Sequence, residues 1–219
     1  MKTKIPKAKP RGKPTADSLP EMRLDIWPTH IIATRFSGAC VTQRHVSAET
    51  LIAAIAGAKI HSGILPPNTL FWQRAADLRL ALFIPPHSRQ LQLGSGPALT
   101  IPLPPLIWLG NGPNYFLFAV TERPTSAEAE LYAPPLSNVY NNGLVCSGNN
   151  PLPTCSAETI MPAFELFMSA EFTPHLVTNR CLSQRADVRA LLVSLADQPV
   201  FPLDELLPLS MTLEDIYGT

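Results

Sequence analysis

From residue 30 onward the chain alternates short apolar runs with proline pairs, and the spacing within each run predicts its element. "HIIATRF" (30–36) is rich in β-branched and aromatic residues and reads as a strand. "SAETLIAAIAGAKI" (47–60) repeats apolar residues at helical spacing behind Ser47, a good N-cap, and reads as an amphipathic helix. Four strand candidates follow: "TLFWQ" (69–73), "RLALFI" (79–84), the proline-interrupted "LTIPLPPLIWL" (99–109) and "YFLFAVTE" (115–122). The link "GNGPN" between the last two is a tight-turn sequence and predicts an antiparallel hairpin. After a proline-rich stretch, "SAETIMPAFELFMSAEF" (156–172) and "SQRADVRALLVSLAD" (183–197) return to helical spacing, and residues 201–219 read as short turns and helical scraps. Elements so segregated predict an α+β fold, an antiparallel meander sheet with flanking helices and one irregular loop, rather than alternating βαβ units.

Composition narrows this picture. A chain of 219 residues is long enough to bury a sizeable core without disulfides. Its twenty-four prolines include the pairs Pro66-Pro67, Pro85-Pro86, Pro104-Pro105 and Pro134-Pro135, which belong between elements or at sheet edges. The formal net charge of zero averages two unlike parts: residues 1–13 carry +6 with no acid, and the remainder carries −6. Residues 1–22 are therefore expected to form a basic, Pro/Lys-rich disordered tail, and 23–219 a single domain with elaborations at both ends. Nucleic acid is an expected partner only weakly, through that tail, since the acidic body offers no larger basic surface. No apolar run approaches the ~20 residues of a membrane span, and no apolar segment follows the basic start as in a secretory signal, so a cytoplasmic address without membrane association is expected.

Candidate chemistry concentrates in "SNVYNNGLVCSGNNPLPTC" (137–155). Asn142-Gly143 predicts a reversal with positive φ, after which Leu144 and Val145 anchor the chain and leave Cys146 at the edge of a polar "SGNN" stretch. A thiol between a packed anchor and a polar loop can be partly exposed, as a nucleophile must be. Residue types alone also allow Asn138 to be a turn-former and Cys146 a small buried hydrophobe. Cys155 is expected to pack near the start of the next helix. The spacing of Cys146, Cys155, Cys181 and His175 fits no standard zinc pattern, so no metal is expected. Pairing Cys146 with His175 gives a cysteine-protease reading that lacks an orienting third group. No phosphate-binding glycine motif is present, and no cofactor is expected.

The segment "NVYNNGLVC" resembles the catalytic-cysteine loop of ubiquitin-conjugating (E2) enzymes: Asn138, Val139, Tyr140, Gly143, Val145 and Cys146 fall at that family's spacing. Leu136 and Ser137 stand where E2 enzymes have a bracing histidine and a proline, and the usual tryptophan after the cysteine is missing. With these departures, "ILPPNTLFW", "NNGLVCSGNNPLP" and "FELFMSAEFTPH" are together similar to the PRTRC system protein B family, also described as prokaryotic E2 family D.

The resemblance implies a UBC-like (E2) fold and an E2-like carrier that accepts a ubiquitin-like modifier as a thioester on Cys146, with Asn138 as oxyanion donor. It implies as partners a ThiF/E1-like protein, a small ubiquitin-like protein and other proteins of a PRTRC cassette on plasmids or mobile elements, with ATP used by the E1-like partner. The alternative is a catalytically inactive E2-fold adaptor in that cassette. For the acid or base that would serve the incoming amine, Glu158 and Asp187 are nearby candidates with nothing in the sequence to select either.

Overall fold

A computed structural model describes residues 22–37, 40–56, 62–74 and 77–217. The expected tail, save Met22, and the last residues of the helix expected at 47–60 lie outside the described residues. Chain contacts divide the protein into two compact units, Met1–His61 and Ser62–Thr219.

In the first unit, β1 (Met22–Trp27), β2 (His30–Ser37) and β3 (Cys40–Val46) form an antiparallel sheet in that order. The helix α1 (Ala48–Ala56) opens as its sequence predicts, with Ser47 Oγ accepting the Thr50 N–H at 3.1 Å.

The second unit is built on six strands. β4 (Thr69–Arg74), β5 (Leu78–Ile84), β8 (Leu106–Asn111), β9 (Asn114–Ala119), β10 (Glu130–Tyr132) and β11 (Pro208–Thr212) form one sheet in the order β11-β10-β9-β8-β5-β4, while β6 (His87–Leu91) and β7 (Leu99–Leu103) pair separately. Each adjacent pair is antiparallel. The expected hairpin forms over Gly112-Pro113, with Asn111 opposite Asn114. The expected strand 99–109 is two strands, parted at Pro104-Pro105.

The central strands are apolar from Leu80 to Ile84 in β5 and from Leu106 to Leu109 in β8 because both of their faces are covered there. Leu80, Leu82, Leu106, Trp108, Tyr115 and Leu117 face α2 (Ile160–Met168) and α3 (Val188–Ser194) in the larger core. Ala81, Phe83, Ile107, Leu109 and Phe118 lie on the other face, closed by Leu213 and Ile216 of α4 (Leu213–Tyr217). Trp108 ties the first layer together: its Nε1–H donates to Ile160 O at 2.9 Å, and its ring stacks on Tyr115 with centroids 5.0 Å apart. Both late helices are shorter than their spacing predicts. α2 starts at Ile160 because Ser156 and Thr159 take up the preceding turn in side-chain hydrogen bonds, and this leaves Pro162 in the first helical turn, where proline is tolerated. α3 starts at Val188, capped by Asp187, whose Oδ1 accepts the Arg189 N–H at 2.9 Å.

Candidate functional site

The stretch from Ala133 to Val139 is buried throughout, which fixes the approach to the cysteine before any polar contact is made. Leu136 is fully enclosed in the larger core. The side chain at this position is thus a hydrophobic anchor. Ser137 is also fully buried, and its hydroxyl has no hydrogen-bond partner among the described residues.

Asn138 follows at φ +61°, a left-handed conformation that asparagine tolerates better than most residues. It is 8% exposed. Its backbone N–H donates to His175 O (3.2 Å), its Nδ2 donates to Glu171 O (2.8 Å), and its Oδ1 accepts from Thr173 Oγ1 (3.0 Å). These bonds lock Asn138 to the irregular segment after α2. Because Nδ2 carries two hydrogens, Glu171 uses one and leaves one.

The chain then folds into a small hairpin laid along β9. Tyr140 N–H donates to Leu144 O and Gly143 N–H to Tyr140 O, both at 2.8 Å, and Leu144 N–H donates to Asn142 Oδ1 at 3.1 Å. Gly143 takes φ +84°, and any Cβ there would run into the Phe118 ring. Leu144 pairs antiparallel with Phe116, Val145 N–H donates to Tyr115 O at 2.9 Å, and Leu117 N–H donates to Gly143 O at 2.8 Å. The edge of β9 is therefore shared, with β10 meeting its end at Ala119 and the cysteine loop its start. Across the loop Val139 pairs with Val145, and Cys146 N–H donates to Asn138 O at 2.7 Å. Cys146 emerges half-buried as the first residue past this hairpin, next to the exposed Gly148–Asn150. The sequence-predicted pair Asn138 and Cys146 is thus joined by a direct backbone hydrogen bond.

Two neighbours of the loop were not selected by the sequence. His175 is exposed, its carbonyl holds Asn138, and its ring lies edge-on to Tyr140 with centroids 6.3 Å apart. The sequence offers it as the base of a cysteine-protease pair; it belongs to the irregular segment beyond α2. Arg180 is 2% exposed. Its Nη2 donates to Val139 O and to Asn141 Oδ1 (3.2 Å), its Nη1 reaches Tyr140 O at the long limit of 3.5 Å, and its Nε donates to Leu176 O (3.3 Å). Burial lowers its pKa from the ordinary arginine value. Every one of these partners is a carbonyl oxygen, a kind of contact that leaves no mark in sequence spacing.

The remaining candidates lie elsewhere. Cys155 is buried over Gly110, with its N–H on Gly112 O at 2.7 Å, and burial pushes its thiol up to about 11. It packs as expected. Cys181 is fully buried and its thiol is likewise raised, chiefly by burial, while its Sγ donates to Gln184 O at 3.4 Å. All four cysteines are free. Glu158 accepts from Ser156 Oγ at 2.7 Å, and Asp187 is clasped by Arg189. These hydrogen bonds hold both carboxyls below their ordinary range, so neither is shifted toward a base. Among the described residues no group of three or more His, Cys, Asp or Glu side chains is placed to hold a metal, and no helix is long and apolar enough to cross a membrane.

A mostly antiparallel α+β chain with few helices fits an E2-like family. A model of prokaryotic E2 family D matches residues 45–209, and the chain belongs to that family. No curated protein and no solved structure matches it.

Proposed function

We propose that the protein has a UBC-like fold and is the E2-like carrier of a bacterial ubiquitin-like conjugation system, with Cys146 as the acyl-accepting nucleophile. The observation that carries this reading is the joining of Asn138 and half-buried Cys146 by the Cys146 N–H to Asn138 O bond, within a chain of the prokaryotic E2 family.

In the reaction the Cys146 thiolate attacks the thioester carbonyl between the modifier's C-terminus and a ThiF/E1-like partner. The oxyanion of the tetrahedral intermediate accepts the second Nδ2 hydrogen of Asn138, and the partner's thiolate leaves and takes up a proton. An amine on the target later attacks the Cys146 thioester, which forms an amide and releases the Cys146 thiolate. The proton lost by that amine passes to water. A preorganised donor of the Asn138 kind is worth roughly 3 to 4 kcal/mol in acyl transfer. Cysteine needs no adjacent base for the first step.

The second reading is an inactive E2-fold adaptor in a PRTRC plasmid or mobile-element cassette. The engagement of the Asn138 carboxamide by Glu171 and Thr173 favours it.

The two separate in one assay. The full chain is incubated with its ThiF/E1-like and ubiquitin-like partners and ATP, then run on a non-reducing gel. The carrier reading expects a higher band that thiol removes and that Cys146→Ala abolishes. Partner binding with no such band, and with affinity unchanged by Cys146→Ser, supports the adaptor and overturns the carrier.

A further inference from the structure

The structure assigns Arg180 as the positioning residue of the cysteine loop: its guanidinium clamps the Val139 and Tyr140 carbonyls and the Asn141 carboxamide, and so sets Asn138 against Cys146.

Several observations converge on it. Among the described residues Arg180 is the one charged side chain in the buried class. Among the described residues its hydrogen-bond partners include no carboxylate. A cation taken out of water without a counter-charge is a costly arrangement, tolerated only where several good acceptors replace the lost hydration. Three of its four acceptors lie on the successive residues Val139, Tyr140 and Asn141, directly after the oxyanion candidate. The planar fork of a guanidinium suits this, since it can address several oxygens from one rigid group.

The clamp also has firm footing. On one side Asn179 N–H donates to Arg185 O (2.8 Å), Leu182 N–H donates to Glu205 O (3.0 Å), and Cys181 is buried in the larger core. On the other, Val139 is itself buried and pairs with Val145, so a constraint on the Val139 carbonyl passes through one residue pair to the Cys146 N–H bond. Leu136 leaves the approach to the loop without a polar brace of its own. Arg180 supplies one from the far side.

This inference rests on the carrier reading for its chemistry, yet it can be tested without any protein partner. The probe is a small alkyl thioester. The Cys146 thiolate attacks its carbonyl, a new carbon–sulfur bond forms, and the original thiolate leaves and picks up a proton from buffer. The tetrahedral intermediate needs an oxyanion donor, whereas alkylation of the same thiol by iodoacetamide does not. The ratio of acylation to alkylation at Cys146, read by intact mass and peptide mapping on the full chain, therefore reports loop geometry separately from thiol exposure. Cys40, exposed on the first unit, provides the same ratio for an ordinary thiol on the same molecules.

The expected result is a ratio at wild-type Cys146 well above that at Cys40, falling at least about tenfold in Arg180→Ala and Arg180→Met, as misplacement of a reacting pair does. Millimolar methylguanidinium restores the ratio in Arg180→Ala. Arg180→Lys keeps the charge without the fork, folds, and shows an intermediate ratio; it also serves where Arg180→Ala does not fold. The proposal is overturned by a wild-type ratio no higher than that of Cys40, by variant ratios within twofold of wild type, or by a loss that methylguanidinium leaves untouched and Arg180→Lys shares in full. Failure of the carrier reading looks different: no modifier adduct forms in wild type while the small-thioester ratio still depends on Arg180.

Discussion

Asn138 fills two physical roles at once, and substitutions at this residue can part them. Its φ of +61° calls for a residue at ease in the left-handed region, and its carboxamide ties the loop to Glu171 and Thr173. Asn138→Gly keeps the backbone conformation and deletes the carboxamide. Loss of two net hydrogen bonds is expected to cost about 1 to 3 kcal/mol in denaturant unfolding. If the carboxamide also supports the oxyanion, acylation of Cys146 falls by roughly 10²-fold or more; if it is only a turn-former, acylation stays near wild type. Asn138 and Cys146 stand out as candidates because their spacing within one short segment is itself the signal. Arg180 does not, because three of its four partners are backbone carbonyls, which any residue type can present, and the loop it holds lies about forty residues back along the chain. His175 was visible as a histidine, but its nearness to the loop depends on the irregular path from Phe172 to Arg180, which has no periodicity to read.

The hairpin of the cysteine loop depends on one glycine in particular. Gly143→Ala meets both a positive φ and the Phe118 ring, and it is expected to destabilise the protein by more than about 2 kcal/mol. Gly148→Ala, at φ +57° with open space around it, should cost only about 1 kcal/mol. Chemical denaturation of the two variants side by side checks the difference; equal costs would mean that the packing of the turn against β9 contributes nothing. Among elements, β5, β8 and β9 were readable because burial leaves runs of hydrophobic residues, and β4 because Leu70, Phe71 and Trp72 pack against the two cores. The polar β3 ("CVTQRHV") and β6 ("HSRQL") escaped notice, being held by ladder pairing rather than by an apolar face. β10 is three residues long, and β11 begins with Pro208, which an edge strand can accommodate at its first position. The helices were recognised by spacing and over-extended at their starts, because Ser156, Thr159 and Asp187 set the first turns through side-chain bonds.

Across the whole molecule, the two-sided sheet buries titratable groups whose shifts make stability depend on pH. Burial raises the Cys155 thiol from 9.0 to about 11 and the Tyr115 hydroxyl from 10.0 to about 12. In both cases the protonated form is favoured by folding. The stability they contribute is therefore fully present below about pH 9 and is lost as pH rises through 11 to 12. Melting temperatures taken at about pH 8 and about pH 10.5 should show a clear drop that Cys155→Ala reduces; an unchanged drop in that variant would contradict the burial account. The α+β class and the antiparallel meander followed from the order of elements, and the matched span 45–209 agrees with them, reaching from the end of β3 to β11. The cover that α4 lays over the second face was beyond reach, because a five-residue helix at the chain end carries too little pattern. The proposed carrier activity turns on one thiol. The most direct test is peptide mapping by mass spectrometry after the full chain has reacted with its ThiF/E1-like and ubiquitin-like partners and ATP, without reducing agent. The account predicts that the Cys146 peptide gains the mass of the modifier less one water; an adduct on Cys155 or a lysine, or none at all, would contradict it.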